Sequence, residues 1–272
     1  MKIAFLSRHG LHHEYAPHEV PNRANIAALR KIGVRTIIAF SAVGSLREEI
    51  APCDFVIPDQ IIDRTKGVRP WTFFENGFVG HAGFGDPFDP ELCKVIGRCL
   101  SASSASKSDG QSGSDLASQG LRVHDKGILI CMEGPQFSTR AESNLYRSWG
   151  GSVINMSAVP EAKLAAEAEI SYAMVCMATD YDCWRVDASG AGEGGVHVEM
   201  VMHNMKKNGQ MAKTVAGVLI DELSKPEFAD LVASGHLAGG MKIAGACTAE
   251  KGRNLEQLEK LEWLFEKDYF RR

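Results

Sequence analysis

Five short segments of this chain carry residue types that could hold an anion beside a group needing a proton. Arg8-His9-Gly10 offers a cation and an imidazole. Ser41-Ala42-Val43-Gly44-Ser45, Glu133-Gly134-Pro135-Gln136-Phe137-Ser138 and Asn155-Met156-Ser157 offer small hydroxyl residues with accessible backbone N–H groups. Asp180-Tyr181-Asp182 offers two carboxylates, which share one face if the segment is extended. Donors around an anion and a carboxyl that can carry a proton are the parts of an acid-assisted displacement. Each segment alone also has a plainer reading. Arg8-His9 fits a solvated surface pair, and Ser41–Ser45 an ordinary strand-to-helix turn. Asp180 and Asp182 fit an N-cap and its solvated partner, and Met156 fits a core position. Histidines 9, 12, 13 and 18 have no acidic or cysteine ligand at matching zinc-site spacing, so they read as loop lining and no metal site is expected.

These segments gain meaning from what precedes them, because each follows an apolar run. Lys2–Ser7, Thr36–Ala42, Phe55–Ile62, Gly127–Met132, Ser152–Met156 and Tyr172–Thr179 read as strands, apolar enough to be covered on both faces. Asn22–Ile32, Pro90–Leu100, Arg140–Trp149, Ala158–Ala168, His197–Leu223 and Asn254–Phe270 read as helices, with Gly33 and Gly150 as stops. Such alternation predicts an α/β fold: a single domain over residues 1–272, with a strongly twisted mixed sheet flanked by helices. In sheets of this kind ligands gather at the carboxyl ends of strands, where the five segments stand. The serine-rich stretch at about 101–119 is too polar to repay its own ordering and is expected as a disordered insertion. Asp187–Gly195, with four glycines, is a candidate active-site loop.

Composition removes several function classes. A net charge of −4 leaves no footprint for nucleic acid or an anionic membrane. The longest apolar stretch, Tyr172–Ala178, is far too short to span a bilayer. Histidines 9, 12 and 13 interrupt any signal-peptide pattern. Seven cysteines with no C-x-x-C pair point to reduced thiols in a cytosolic protein.

Taken together, the motifs resemble the trimeric nucleoside phosphorylases. The likeness runs through Arg8-His9-Gly10 with His13, Pro17 and Asn25-Ile26, then Ala42-x-Gly44-Ser45-Leu46-Arg47-Glu48-Glu49 and Asp59-Gln60-x-Ile62-Asp63-Arg64-Thr65. It continues in Glu133-Gly134-Pro135-x-Phe137-Ser138-x-Arg140-Ala141-Glu142-Ser143, in Val153-Ile154-Asn155-Met156-Ser157-x-Val159-Pro160-Glu161, and in Met177–Trp184. The chain is most similar to the family's methylthioadenosine-cleaving branch, over roughly residues 3–98 and 121–216.

The resemblance implies phosphorolysis of an N-glycosidic bond, with inorganic phosphate as co-substrate, no other cofactor, no metal and no covalent enzyme intermediate. By the same resemblance Arg8, His9, Ser41, the Ala42 backbone and Ser157 hold phosphate. Met156 lies against the ribose, and Phe137 packs on the purine with Ser138 beside it. Asp180 is the catalytic carboxyl at the purine N7 and 6-amino group, and Asp182 supports it. Val198 faces the methylthio group, and His81 reaches across a trimer interface. A homotrimer in the cytoplasm, and also the nucleus, is implied. The family pattern begins with a further strand and a glycine-rich turn, whereas here Met1 stands directly before the strand that should follow. The expectation is therefore a sheet short of one strand, a depleted phosphate cradle, and a chain that is poorly active or aggregation-prone. Competing readings are a general purine nucleoside phosphorylase, a non-catalytic nucleoside-binding paralogue, and an unrelated α/β binding module. Asp180 and Val198 weigh against the first, and the motif order against the last.

Overall fold

The structure, a computed structural model, describes residues 1–101, 116, 119–185, 198–242 and 247–270. Its axis is the strand β7 (Ser171–Tyr181), buried along nearly its whole length. It is buried because both edges are paired, parallel to β1 (Thr36–Ser45) and antiparallel to β2 (Phe55–Val56). Its side chains alternate between two cores, as the two-residue period of a strand requires. Tyr172, Met174, Cys176 and Ala178 enter one with Val43, Leu129 and Val153; Ala173 and Val175 enter the other with Phe55 and Ile57. Helices α1 (Asn22–Lys31) and α4 (Ala158–Glu167) close the first core, through Ile26, Ala162 and Ala165. Helices α2 (Pro90–Ser101) and α5 (Val198–Leu223) close the second, through Leu92, Ile96, Val215 and Leu219.

Four more strands, β3 (Gln60–Arg64), β4 (Val123–His124), β5 (Ile128–Met132) and β6 (Gly151–Asn155), complete a mixed sheet. Its seven strands run in the order β3-β5-β6-β1-β7-β2-β4. Strands β2 and β3 lie toward opposite ends of that order, yet only Ile57–Asp59 join them; Asp125–Gly127 join β4 to β5 in the same way. At about 3.5 Å per residue such links cannot cross five strand spacings of roughly 4.8 Å each. The sheet must curl until its ends approach, and the two links meet: the Asp59 N–H donates to the Gly127 carbonyl at 3.2 Å. The twisted mixed sheet expected from the sequence is therefore present.

Several boundaries differ from the sequence reading. Lys2–Ser7 forms no strand: a strand needs a ladder partner, and this segment has none among the described residues, leaving Ile3, Phe5 and Leu6 exposed. Phe55–Ile62 is two strands, because Pro58 cannot donate to a ladder and the chain there changes sheet edge. Strand β4, only two residues long, has no counterpart in the sequence reading. Helix α3 (Arg140–Ser148) starts at a capping box in which Thr139 accepts from the Glu142 N–H and Glu142 bonds back. Helices α6 (Ala229–Ala233) and α7 (Leu255–Leu264) follow α5. Helix α7 stops short of Phe270, since Phe265 and Phe270 turn back onto Phe74 and Phe78 in a third apolar cluster. The expected insertion at 101–119 and the glycine-rich 187–195 loop fall almost wholly outside the described residues. Leu116 is described and is buried in the second core.

Candidate active site

The anion side is assembled where β1, β6 and α4 meet. Ser41 on β1 and Ser157, the residue before α4, bring their hydroxyl oxygens to 3.1 Å. The Ser157 hydroxyl caps nothing in its own helix. Asn155, at the end of β6, donates through Nδ2 to Ser41 Oγ at 3.0 Å and to Ser157 Oγ at 3.2 Å. Arg8 enters from the loop that precedes α1. Its Nε and Nη2 each donate to a Glu161 carboxylate oxygen at 2.7 Å, and its Nη1 to the Phe40 carbonyl at 2.9 Å. Burial acts to lower the Arg8 pKa, but the Glu161 charge and hydrogen bonds outweigh it, so the guanidinium stays charged. Tyr172 completes the group by donating to Glu161 Oε1 at 2.8 Å. A cation held at the residue before Ser41 and two hydroxyls thus stand on neighbouring elements, groups that can serve an anion.

The two carboxylates lie further along β1 and its neighbour β7. Asp180 pairs with Gly44 at a register shift in the β1–β7 ladder, the kind of irregularity that re-aims a side chain. Gly44 faces both carboxylates: a Cβ there would make ordinary contact with Asp180 Oδ2 at 3.6 Å and Asp182 Cβ at 3.4 Å, and would crowd only Ile154 Cγ2 at 3.1 Å. Both carboxylates therefore lie on one face, as their i, i+2 spacing predicts. Burial pushes the Asp180 carboxyl up to about 6; a hydrogen bond from Thr179 at 2.6 Å opposes this, and the Asp182 charge adds to it. Burial likewise raises Asp182, while the nearby Ser143 hydroxyl offsets part of the rise. Neither Asp182 Oδ2 nor Ser143 Oγ makes a well-formed hydrogen bond. Behind them Trp184 donates to the Ser45 carbonyl at 2.8 Å, and the Arg147 guanidinium covers the indole at 3.5 Å.

The remaining foreseen residues are less uniformly placed. Met156 lies over Gly134, whose positive φ of 72° and missing side chain admit the thioether. Phe137 is exposed, and Ser138 is buried with its hydroxyl toward Met132 Sδ at 3.3 Å. Ala42 is exposed, and its carbonyl accepts from the Ser41 hydroxyl. His9 bonds the Tyr15 carbonyl at 2.9 Å and stacks on His13; burial lowers its pKa, opposed by the Tyr15 bond. It is not hydrogen-bonded to the serine pair. Val198 opens α5, and His81 is exposed on the loop after Gly80.

Four supports were not foreseen as site residues. Glu161 holds Arg8. Arg69, itself buried and paired with Glu133, donates to the Met156 and Val159 carbonyls and so fixes the turn carrying Met156 and Ser157. Asn204 and Asn208, one helical turn apart on α5, donate to the Thr179 and Ala178 carbonyls at 2.7 and 2.9 Å. They tie α5 to the strand bearing Asp180. Nothing in the local sequence around these four residues reveals their partners.

Comparison with known proteins agrees with this geometry. The family profile of the Phosphorylase superfamily matches residues 2–221. S-methyl-5′-thioadenosine phosphorylase of Phaeosphaeria nodorum is 64% identical over 263 residues, 97% of this chain and 72% of that protein. The protein of the same name from Tuber melanosporum is 61% identical, over 96% of this chain and 79% of its own. Among solved structures, a methylthioadenosine phosphorylase from an antarctic soil metagenomic library superposes with a TM-score of 0.77 at 37% identity, covering 96% of this chain and 82% of that one. Methylthioadenosine phosphorylase from Schistosoma mansoni in complex with adenine follows at 0.72 and 30%, covering 86% and 80%. With its curled mixed sheet and these relatives, the chain belongs to the Phosphorylase superfamily, in its S-methyl-5′-thioadenosine phosphorylase branch.

Proposed function

We propose that this chain cleaves S-methyl-5′-thioadenosine with inorganic phosphate, releasing adenine and 5-methylthioribose 1-phosphate. A phosphate oxygen forms the new bond to C1′ as the C1′–N9 bond breaks, and its electron pair passes into the purine. The departing base then needs a proton or a hydrogen bond at N7. The observation that carries this reading is the spacing along β1. Ser41, in the hydroxyl pair, and Gly44, opposite Asp180, are three residues apart, about 10 Å in an extended strand. That separation suits an anion beneath a ribose with a carboxyl at the far edge of a purine. Asp180, raised to about 6, carries a proton in part of the molecules near neutrality and can share it with N7. Arg8, His9, Ser41, the Ala42 backbone and Ser157 serve phosphate; Met156 serves the ribose, Phe137 and Ser138 the base, and Val198 the 5′ group. His81 serves the site of a neighbouring copy in a homotrimer.

The test is Asp180→Asn. An amide can donate to N7 or to a 6-oxo group but supplies no acidic proton. Use of 6-aminopurine nucleosides should fall about a hundredfold in kcat/KM, and 6-oxopurine nucleosides should gain relative to them. Equal loss on both classes, read by release of the free bases, would reduce Asp180 to scaffold.

A further inference from the structure

We infer that Asn155 is a positioning residue for phosphate, one that dictates which way the Ser41 and Ser157 hydroxyl protons point; this rests on the phosphate reading above. The amide's orientation follows from its surroundings. Asn155 Oδ1 accepts from the Ser157 and Ala158 backbone N–H groups, both at 3.4 Å. Those groups can only donate, so the oxygen must face them and the NH₂ must face the serines. Nδ2 has two hydrogens and meets two hydroxyl oxygens, at 3.0 and 3.2 Å, closer and stronger acceptors than its third neighbour, Met174 Sδ at 3.6 Å.

A hydroxyl has one proton and two lone pairs. With one lone pair of each serine engaged by the amide, neither proton can turn toward Asn155. In the structure Ser41 donates to the Ala42 carbonyl at 3.1 Å, or one serine donates to the other at 3.1 Å. A phosphate dianion can only accept, so it needs both protons turned outward. Asn155 is buried, so no solvent competes for this arrangement, and the hydroxyls are held as donors before the anion arrives. A carboxylate in its place would reverse the pattern by accepting the same protons.

The test compares Asn155→Asp and Asn155→Ala with the unaltered chain, alone and in a Ser41→Ala/Ser157→Ala background, in steady-state phosphorolysis. Phosphate KM should rise at least about tenfold in Asn155→Asp, and less in Asn155→Ala, with nucleoside KM little changed. Relative to the unaltered chain at each pH, Asn155→Asp should recover as pH falls and its carboxyl protonates, because a neutral acid donates again. Either substitution should cost much less in the double-serine background, since the groups it acts through are gone. A penalty undiminished there, an equal rise in both KM values, or a greater loss in Asn155→Ala than in Asn155→Asp would overturn the inference. Should Asn155→Asp fail to fold, Asn155→Ala and the serine background still decide it. If the double-serine variant itself keeps the normal phosphate KM, the phosphate reading falls; if it loses phosphate and the Asn155 variants do not, only this inference falls.

Discussion

At the residue scale the decisive property is the unequal environment of two carboxyls two positions apart. Burial raises both; Asp180 is also raised by the charge on Asp182, and it reaches about 6. If protonated Asp180 assists the leaving purine, kcat/KM should decline as pH rises through about 6. The sign of the coupling follows directly. Asp182→Asn removes a negative charge that favours the protonated form of Asp180, so the decline should begin at a lower pH. A pH profile of kcat/KM for the nucleoside reads the shift, and a limb that stays or moves upward would refute electrostatic coupling between the two. The donor side shows the complementary case, where Arg8 is kept charged by Glu161 despite its burial.

Among the elements, α3 sets the wall behind Asp182, since its Ser143 and Glu142 act on that carboxyl. The helix has only nine residues, too few to persist on propensity alone. Its capping box answers two of the backbone donors that a helix N-terminus leaves unpaired. Thr139→Ala should therefore lower stability by about 1 kcal/mol, measured by urea denaturation. The effect should be local, with a matching loss of hydrogen-exchange protection in residues 140–148. Fully retained protection would mean that packing of Tyr146 against Leu46 and Ile130 holds the helix without its cap.

For the whole molecule, the exposed apolar surface is informative. Leu145 and Trp149 stand four residues apart at the end of α3, 45% and 39% exposed, and Phe137 just before the helix is 55% exposed. Leu145 and Trp149 therefore share a helix face, and exposed large apolar side chains grouped on one face suit an association site. Sedimentation of the intact chain should give three times its 29.6 kDa mass. Leu145→Glu, which places a charge on that face without touching the core, should shift the population toward single chains. A mass unaffected by that change would move the interface elsewhere.

Much of this was legible in the order of residues. Six helices and most strands follow from apolar periodicity, and four of the five chemical segments stand at the carboxyl ends of strands, where polar residues interrupt apolar runs; Arg8-His9-Gly10 follows a segment that forms none. The shared face of Asp180 and Asp182 follows from a two-residue period. Other features needed the folded chain. Lys2–Ser7 has the composition of a strand, but pairing depends on a partner that composition does not disclose. The split of residues 55–62 to opposite ends of the sheet depends on the curl that closes it. The contacts of Asn155 with Ser41, of Arg8 with Glu161 and of Arg69 with Glu133 span from 64 to 153 positions. Local pattern specifies what a residue is and which way it faces along its own element. Which distant group it meets is decided only when burial removes water as the alternative partner.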